Sequence, residues 1–299
     1  MKGVLDMREY SYRKIDAFTM GKSLGNPAAC IYLEDNQTLS DDEMLGIARQ
    51  HKGFVSEVVF CSKSKQSGFD LTYFSSECEV DFCGHGTIAC LYSLIRSSPV
   101  LLDKREIVIH TNRKGTLTVH NKISEKNAVF ITAPEPTYFK AKLPLEVIAE
   151  NLGLKTDQIS NQHPIDLINA GLTTLIVPVI SLDCEINVFP DEYHLKEFCL
   201  NNQIDIVLVF STEVKDNKNI AHTRVFAPKF GYLEDPATGS GNSAFGYYMQ
   251  KNNMWHGETV SIEQGGANIY FNIVKLTTQN NKILFGGSAT DRIIGKYYF

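Results

Sequence analysis

The sequence lacks the long apolar runs that a membrane-spanning protein carries. Its longest uninterrupted apolar stretch, residues 175–180, has the length of a single strand, whereas a helix that crosses a bilayer needs about 20 apolar residues. The opening stretch MKGVLDMREYSYRK has neither the apolar core nor the small-residue pattern of a secretory signal peptide. We therefore expect a cytoplasmic protein that has no membrane partner.

Basic residues are not in excess either. The chain has 29 Lys and Arg against 34 Asp and Glu, its formal net charge is −5, and its basic residues are scattered along the chain. A nucleic-acid-binding surface is built from clustered basic side chains. The composition therefore predicts no nucleic-acid partner.

Metal-binding and disulfide patterns are also missing. The eight histidines form no HxxxH or HxH pair, the seven cysteines form no CxxC pair, and no Cys/His group has the spacing of a zinc site. An odd number of cysteines without paired spacing is typical of an intracellular protein with reduced, mostly buried thiols. We therefore expect no metal cofactor.

The sequence predicts short strands and helices in a matching order in both halves of the chain. One of the last predicted strands covers residues 269–274. Ser40 and Glu43 form a capping box that predicts a helix start, because each side chain can accept a bond from the other residue's amide. Residues 84–96 are apolar on nearly every side, which is typical of a buried helix. The Pro-containing stretch 133–137 predicts domains at 1–133 and 134–299, with a C-terminal strand that can return to the first domain.

The two halves share a motif at an offset of 155 residues. The offset aligns Gly84 with Gly239 and Gly86 with Gly241, in DFCGHGTIA and EDPATGSGNSA, and it also matches an alanine and a tyrosine further on. This similarity indicates an internal duplication. We expect an α+β fold of two similar domains, each a curved sheet around one buried helix, with the two helix starts facing one cleft.

Both motifs fit GxGxxA, the fingerprint of a nicotinamide or flavin site. That fingerprint needs a buried parallel strand directly before it, and here the preceding residues SSECEVDFC and FGYLEDPAT are polar or broken by proline. Another interpretation is a turn that needs glycine for packing alone. The presence of two equivalent motifs favours a third interpretation, an anion site. In such a site, open amides and the dipole of each helix start hold a carboxylate or a developing enolate.

Glu57 is a candidate acid/base. In FVSEVVF, alternation places it on the same strand face as Val55 and Val59. Partial burial there would raise its pKa toward the range that suits proton transfer. The alternative is a glutamate on an edge strand that reaches water.

Three more candidates adjoin the glycine motifs. Cys83 directly precedes the first helix, where a thiolate is stabilised, and the alternative is a small buried thiol. Asp235 precedes the second helix, where capping or a dipole interaction is the simpler role. His85 lies within the first glycine turn and can bond a substrate or a backbone carbonyl.

Six stretches carry a resemblance to a known family. They are IDAFTMGKSLGNPAACIYL (15–33), FVSEVVF (54–60), DFCGHGTIA (81–89), AGLTTLIVPV (170–179), TRVFAPKFGYLEDPATGSG (223–241) and IEQGG (262–266). This ordered set resembles the PhzF-like proteins of phenazine biosynthesis, relatives of diaminopimelate epimerase and proline racemase, over essentially the whole chain.

The resemblance implies a diaminopimelate epimerase-like fold. Each of its two domains would be a curved or barrel-like, mostly antiparallel sheet around a central helix, with the site between the domains. It also implies a homodimeric isomerase that needs neither metal nor organic cofactor. Such an enzyme shifts a proton between carbons of a small carboxylated substrate, as the family's characterised reaction does in a dihydro-hydroxyanthranilate ring.

Carried over position by position, the resemblance implies three catalytic residues. Glu57 falls on the family's general acid/base, while Asp235 and His85 would orient polar groups or shuttle protons. The positions that we predict to bind substrate are Cys83, Gly84, Gly86, Thr238, Gly239, Ser240 and Gly241.

The pairing of Cys83 with Thr238 bears on the mechanism. In the epimerase relatives both turns carry cysteine, and two thiols exchange a proton on opposite faces of one carbon. Threonine is a far weaker base, so we predict that Glu57 carries the proton instead. Two alternatives stay open: a hydroxyproline dehydratase or epimerase type of enzyme with the same Cys/Thr pattern, and a non-catalytic member of the fold that binds a small molecule.

Two departures from the family pattern concern the substrate. Thr87 stands where alanine is frequent, and Asn242 belongs to a Gly-Asn pair where many members carry alanine and then a polar residue or histidine. Both positions are expected to line the implied cleft and thereby to alter the choice of substrate.

Overall fold

The computed structural model describes residues 7–266 and 270–299. Within them the strands are β1 (Glu9–Ala17), β2 (Asn26–Leu33), β3 (Glu57–Lys63), β4 (Phe69–Ser75), β5 (Glu79–Val80), β6 (Glu106–Thr111), β7 (Gly115–Asn121), β8 (Val129–Thr132), β9 (Thr137–Phe139), β10 (Asp166–Asn169), β11 (Thr173–Pro178), β12 (Ile206–Ser211), β13 (Ala221–Phe226), β14 (Glu234–Asp235), β15 (Val260–Gln264), β16 (Asn272–Gln279), β17 (Lys282–Gly287) and β18 (Ala289–Tyr298). The helices are α1 (Asp41–Gln50), α2 (Gly84–Arg96), α3 (Pro99–Leu102), α4 (Ile123–Lys126), α5 (Leu145–Leu152), α6 (Leu182–Ile186), α7 (Glu192–Asn201) and α8 (Gly239–Lys251). Ile269, where the sequence predicts a strand to begin, and residues 1–6 of the opening stretch lie outside the described residues. None of the described helices combines the length and the apolar character that crossing a bilayer requires.

The chain divides into two compact units. Unit 1 comprises the described residues up to Thr19, together with Asn26–Ile131 and Gly287–Phe299, and unit 2 comprises Met20–Gly25 and Thr132–Gly286. This division differs from a simple cut into 1–133 and 134–299, because a short early segment joins unit 2 and the C-terminal segment joins unit 1. The C-terminal strand β18 belongs to unit 1 because it pairs antiparallel with β1 along the whole length of that strand.

The sheet of unit 1 is mostly antiparallel. Strand β1 pairs antiparallel with β2, which pairs parallel with β3; β3 and β4 are antiparallel, and β4 pairs antiparallel with β5 and parallel with β6. Strands β6, β7 and β8 continue as antiparallel neighbours. Helix α2 packs against β1, β2, β3 and β18. Nine of its thirteen residues are buried, which confirms the buried helix predicted from its apolar sequence.

Unit 2 has the same succession of pairings. Strand β10 is antiparallel to β9 and β11, β11 is parallel to β12, and β12 is antiparallel to β13. Strand β13 pairs antiparallel with β14 and parallel with β15, after which β15, β16 and β17 are antiparallel neighbours. Helix α8 follows β14 as α2 follows β5, and it packs against β10, β11, β12 and β16.

The first helix of unit 1 begins with the predicted capping box. The Ser40 hydroxyl accepts from the Glu43 amide at 3.3 Å, and the Glu43 carboxylate accepts from the Ser40 amide at 2.8 Å. Two orphan donors of the helix start are thereby satisfied. The helix then buries its apolar side against the outer face of the sheet, in a cluster that includes Met44, Ile47 and Val58.

Candidate functional site

Glu57 is the first residue of β3, an interior strand that lies between β2 and β4. The alternative of an edge-strand glutamate is therefore wrong. Alternation places Glu57 opposite Val58 and on the face of Val59, whose Cγ2 lies toward α2. Val55 packs with Val58 in the apolar cluster of α1. The prediction that Val55 shares the face of Glu57 is wrong, because Val55 precedes the strand and alternation does not extend to it.

Cys83 is the N-cap residue of α2. Its backbone is extended (φ −122°, ψ 107°), and its sulfur accepts a hydrogen bond from the Gly86 amide at 3.2 Å. A Cβ at Gly86 would lie 2.9 Å from this sulfur and 2.8 Å from Val59 Cγ2. Packing therefore requires glycine at position 86, and the glycine in turn lets the sulfur sit against the helix start.

The fold brings Glu57, Cys83 and His85 together. His85 Nε2 is 3.3 Å from Glu57 Oε2, and Cys83 Sγ is 3.8 Å from the same oxygen and 3.4 Å from His85 Nδ1. The side chains of Glu57 and His85 are 20% and 13% exposed, and Cys83 is buried. Strand β3 supplies the carboxylate and the start of α2 supplies the other two groups.

The surroundings of Glu57 favour its neutral form. Burial raises the pKa of its carboxyl to about 7, and the hydrogen bond from Cys83 opposes that shift. The shift arises because an ionised carboxylate loses solvation in surroundings of low polarity. Near pH 7 the group is divided between acid and base, which is the condition for taking up and returning a proton efficiently.

Thr87 lies behind the start of α2 and does not line a site. Its side chain is fully buried, and its hydroxyl donates to the Cys83 carbonyl oxygen at 2.7 Å. The Tyr73 hydroxyl lies 2.7 Å from the Thr87 hydroxyl oxygen. The expectation that Thr87 lines a cleft is wrong, because its side chain is fully buried one helical turn after Cys83 and its hydroxyl bonds back to the Cys83 carbonyl oxygen. Its bonds instead fix the backbone of Cys83.

Thr238 caps α8 in unit 2 with almost the same backbone geometry (φ −119°, ψ 112°). Its side chain makes no bond to the amides of the helix, unlike that of Cys83. Instead, the Thr238 hydroxyl donates to Asp235 Oδ2, and both residues are buried. The cap residue of α8 is thus threonine where that of α2 is cysteine. Its side chain therefore bonds a carboxylate rather than a helix amide.

Gln264, at the end of β15, fixes the direction of that hydroxyl. Its Nε2 donates to the Thr238 hydroxyl at 3.1 Å and to the Asp235 carbonyl oxygen at 2.9 Å, while its Oε1 accepts from the Thr238 amide at 2.9 Å. Because the Thr238 oxygen accepts from Gln264, its own proton is directed to Asp235. The sequence alone did not single out Gln264; its place in IEQGG was the available signal.

Asn242 also lies behind a helix start. It is fully buried, and its Nδ2 donates to the Thr238 carbonyl oxygen at 2.9 Å and to Gln264 Oε1 at 2.7 Å. The expectation that Asn242 lines a cleft is wrong, because it follows the cap residue by one helical turn and points back to it. Its role is to hold Gln264 in place.

The first amides of α8 bond no acceptor within the described residues. These are the amides of Gly239, Ser240 and Gly241, and open amides are expected in the first turn of a helix. The Ser240 side chain is partly exposed. Gly239 is buried against Phe285, because a Cβ at position 239 would lie 2.4 Å from Phe285 Cε2.

Replacement of Gly239 by alanine is therefore expected to destabilise the protein by about 1–3 kcal/mol, the usual cost of overpacking a core. Phe285 is itself buried and cannot move aside. Gly46→Ala is the matched control, since a Cβ at this helical glycine meets nothing closer than 3.8 Å, and alanine there should stabilise by about 0.5–1 kcal/mol. Urea unfolding measures both changes. Equal stability of Gly239→Ala and the wild type would contradict the packing described.

The strands before the glycine motifs bear on the dinucleotide interpretation. Before α2, the two-residue strand β5 pairs antiparallel with β4, and before α8 the two-residue strand β14 pairs antiparallel with β13. A dinucleotide fingerprint follows a buried parallel strand. Neither motif has that context, so the dinucleotide interpretation is not supported.

Glu57, Cys83 and His85 are also the one group of three potential metal ligands in the described part of the chain. One donor atom of each lies within 4.8 Å of the other two. Spacing along the chain could not reveal this group, because its carboxylate lies 26 residues before the cysteine.

Known proteins are similar over nearly the whole chain. The family model of phenazine biosynthesis-like proteins, PhzC-PhzF, matches residues 15–292. The uncharacterized isomerase YfhB of Bacillus subtilis is 31% identical over 87% of this chain and 87% of its own length. The crystal structure of a phenazine biosynthesis protein of the PhzF family from Bacillus anthracis superposes with a TM-score of 0.84 at 25% identity, covering 98% of this chain and 99% of that one.

More distant structures share the fold alone. A hydroxyproline epimerase from Agrobacterium vitis superposes with a TM-score of 0.60 at 12% identity, over 99% of this chain and 93% of that one. The relatives named isomerases support the isomerase class for this chain. With a family model that spans most of its length, the chain belongs to the PhzC-PhzF family of phenazine biosynthesis-like proteins.

Proposed function

We propose that this protein is a cofactor-independent isomerase that moves a proton between two carbons of a small carboxylated substrate, with Glu57 as the proton carrier. The observation that carries the proposal is the half-buried carboxyl of Glu57, whose pKa burial raises to about 7, in contact with His85 and Cys83 at a helix start. Family membership and the relatives named isomerases agree with this class of reaction.

In the proposed reaction, the Glu57 carboxylate accepts a proton from a carbon next to a carbonyl group or a conjugated double bond. The C–H electron pair enters the π system, so that a double bond shifts and negative charge collects on oxygen. The carboxylic acid then returns the proton to a second carbon. His85, whose Nε2 is 3.3 Å from Glu57 Oε2, would orient the carboxyl and shuttle protons.

Negative charge on the substrate would be held at helix starts. The amides of Gly239, Ser240 and Gly241 carry the partial positive charge of the α8 dipole and would bind a carboxylate or enolate. The Gly84 amide would do the same at α2, where the Gly86 amide already donates to the Cys83 sulfur. Asp235, which accepts the Thr238 proton, would orient polar groups of the substrate, and the Ser240 hydroxyl would bond it.

Exchange in deuterated water tests the proposal. We expect the protein to incorporate deuterium into those candidate carboxylates that it isomerises, detected by NMR or mass spectrometry. Because Glu57 must be ionised to accept a proton, and its pKa is raised to about 7, the rate constant kcat/KM should rise as the pH passes upward through about 7. Protein stripped with a chelator should keep its activity.

Other outcomes identify the alternatives. Loss of water from a hydroxylated substrate, without formation of an isomer, would indicate the dehydratase type of enzyme. A ligand that binds tightly but exchanges no proton at any pH would indicate a non-catalytic binding protein. Activity that disappears on chelation and returns with metal would contradict cofactor independence.

We also propose that the protein is a cytoplasmic homodimer, since its family membership and its sequence favour this state. Sedimentation equilibrium of the full chain should give twice the monomer mass of 33.5 kDa. A mass that stays at the monomer value over the working concentrations would rule out the dimer.

A further inference from the structure

The three side chains proposed to handle the proton also present the donor set of a transition-metal site. Glu57 offers a carboxylate oxygen, Cys83 a sulfur and His85 a ring nitrogen, all within 4.8 Å of one another. We propose that these residues form a Zn²⁺ site whose occupation inhibits the enzyme. The binding stands on geometry alone, whereas the inhibition rests on the proposed function.

The separations of the donor atoms fit one tetrahedral ion. With Zn–S of about 2.3 Å, Zn–N of about 2.05 Å and Zn–O of about 2.1 Å, tetrahedral angles require S–N and S–O edges of about 3.6 Å and an N–O edge of about 3.4 Å. The corresponding distances are 3.9 Å for Sγ–Nε2, 3.8 Å for Sγ–Oε2 and 3.3 Å for Nε2–Oε2. Shifts of a few tenths of an ångström complete the site.

The start of α2 fixes the position of the Cys83 sulfur. The Gly86 amide donates to the sulfur at 3.2 Å, and the positive end of the α2 dipole lies at the same point. A hydrogen bond to a ligand atom is the kind of second interaction that orients metal ligands in proteins. Mixed sulfur, nitrogen and oxygen donors suit Zn²⁺, whereas an all-oxygen set would suit Mg²⁺ or Ca²⁺.

The ion can reach the site and keep an open coordination position. The side chains of Glu57 and His85 are partly exposed, so the fourth position faces water or substrate, as in zinc sites with three protein ligands. Occupation would nonetheless block the proposed reaction, because coordination to Zn²⁺ lowers the proton affinity of the Glu57 carboxylate. This inference departs from the expectation, drawn from spacing along the chain, that the protein holds no metal.

Cobalt titration of the full chain tests the site without any assay of turnover. After removal of metal, wild-type protein should bind one equivalent of Co²⁺ with the charge-transfer absorption of a thiolate ligand, and Zn²⁺ should displace it. Cys83→Ser should abolish that absorption. Cys78→Ser is the matched control, because Cys78 is an exposed thiol in the same unit, and it should leave the spectrum unchanged.

The inhibition is tested separately in the deuterium-exchange assay. At free Zn²⁺ about ten times its Kd, exchange should fall about tenfold, and excess chelator should restore it. The site is refuted if wild-type protein gives no thiolate–cobalt absorption or if Cys83→Ser retains it. Zinc that binds but leaves exchange unchanged or faster overturns the inhibition. A cobalt site in a protein without exchange activity would leave the site standing and reject the proposed function instead.

Discussion

Glu57→Gln is expected to lower kcat for proton exchange by about 10²–10⁴-fold, the usual contribution of a positioned acid/base. Glutamine keeps the size and the hydrogen-bonding capacity of the side chain but cannot accept the proton. Ligand binding, measured by calorimetry, should be nearly unchanged, because the proposed anion contacts come from helix amides. Glu125→Gln, at an exposed carboxylate of the same unit, is the control and should keep full activity.

The same variant should gain stability at high pH. Burial raises the pKa of Glu57 from 4.5 to about 7 in the folded protein, so the folded state holds a proton that the unfolded chain has released. The stabilisation linked to this proton is fully present below pH 4.5 and is lost as the pH rises through about 7. Glutamine does not ionise. Relative to the wild type, Glu57→Gln should therefore gain on the order of 3 kcal/mol between pH 4.5 and pH 8.

These two measurements separate chemistry from structure. Urea unfolding at the two pH values needs no substrate, and the exchange assay needs no assumption about stability. Near-full activity of Glu57→Gln would reject Glu57 as the proton carrier. A stability difference between variant and wild type that does not change with pH would show that the carboxyl of Glu57 ionises normally in the fold.

Arg224→Met is expected to cost on the order of 3 kcal/mol of unfolding free energy, the cost of breaking a buried ion pair. Arg224 is 4% exposed, and its guanidinium binds Glu234 with two hydrogen bonds, at 2.9 and 2.7 Å. Its remaining nitrogen donates to the carbonyl oxygens of Glu185, Ile186 and Val188 at the end of α6. Methionine fills similar space but removes these bonds from the carboxylate and the three carbonyl groups, of which, among the described residues, only that of Glu185 keeps another partner, the Val188 amide.

The loss should also reach the proposed site, because Glu234 directly precedes Asp235 in β14. Adding Glu234→Gln should recover part of the stability, since the unpaired charge is then gone. Lys282→Met is the control: it removes an exposed pair with Glu135 and should change stability by less than about 0.5 kcal/mol. A similar small change for Arg224→Met would mean that the guanidinium contributes little to the fold.

Local patterns predicted much of the fold correctly. The Ser40 capping box, the buried helix at Gly84–Arg96 and the second helix start at Gly239 all lie where the sequence places them. These features depend on side chains within one or two helical turns of each other. A short segment of sequence therefore contains all the interacting groups. Glu57 was likewise identifiable, because a carboxylate within an apolar strand has few explanations.

The residues behind the helix starts are not determined by local sequence, because their bonding partners lie elsewhere in the chain. Thr87 and Asn242 each lie one helical turn after a cap residue. The neighbouring sequence does not determine whether their side chains face a site or the interior. Tyr73 and Gln264 decide the matter, and each comes from a distant strand. No local pattern marks Gln264, because its bonds reach residues 235 and 238, more than 20 positions away.

The sequence by itself determined the family, the two glycine-marked helix starts and the identity of the candidate acid/base, since each is written in contiguous residues. Only the tertiary structure decided what surrounds that base. Pairing β2 with β3 and packing α2 against them places Glu57 beside Cys83 and His85, and the burial that raises the Glu57 pKa exists only once these elements have packed. A contact between a strand and a helix depends on chain folding, and residue spacing does not encode it.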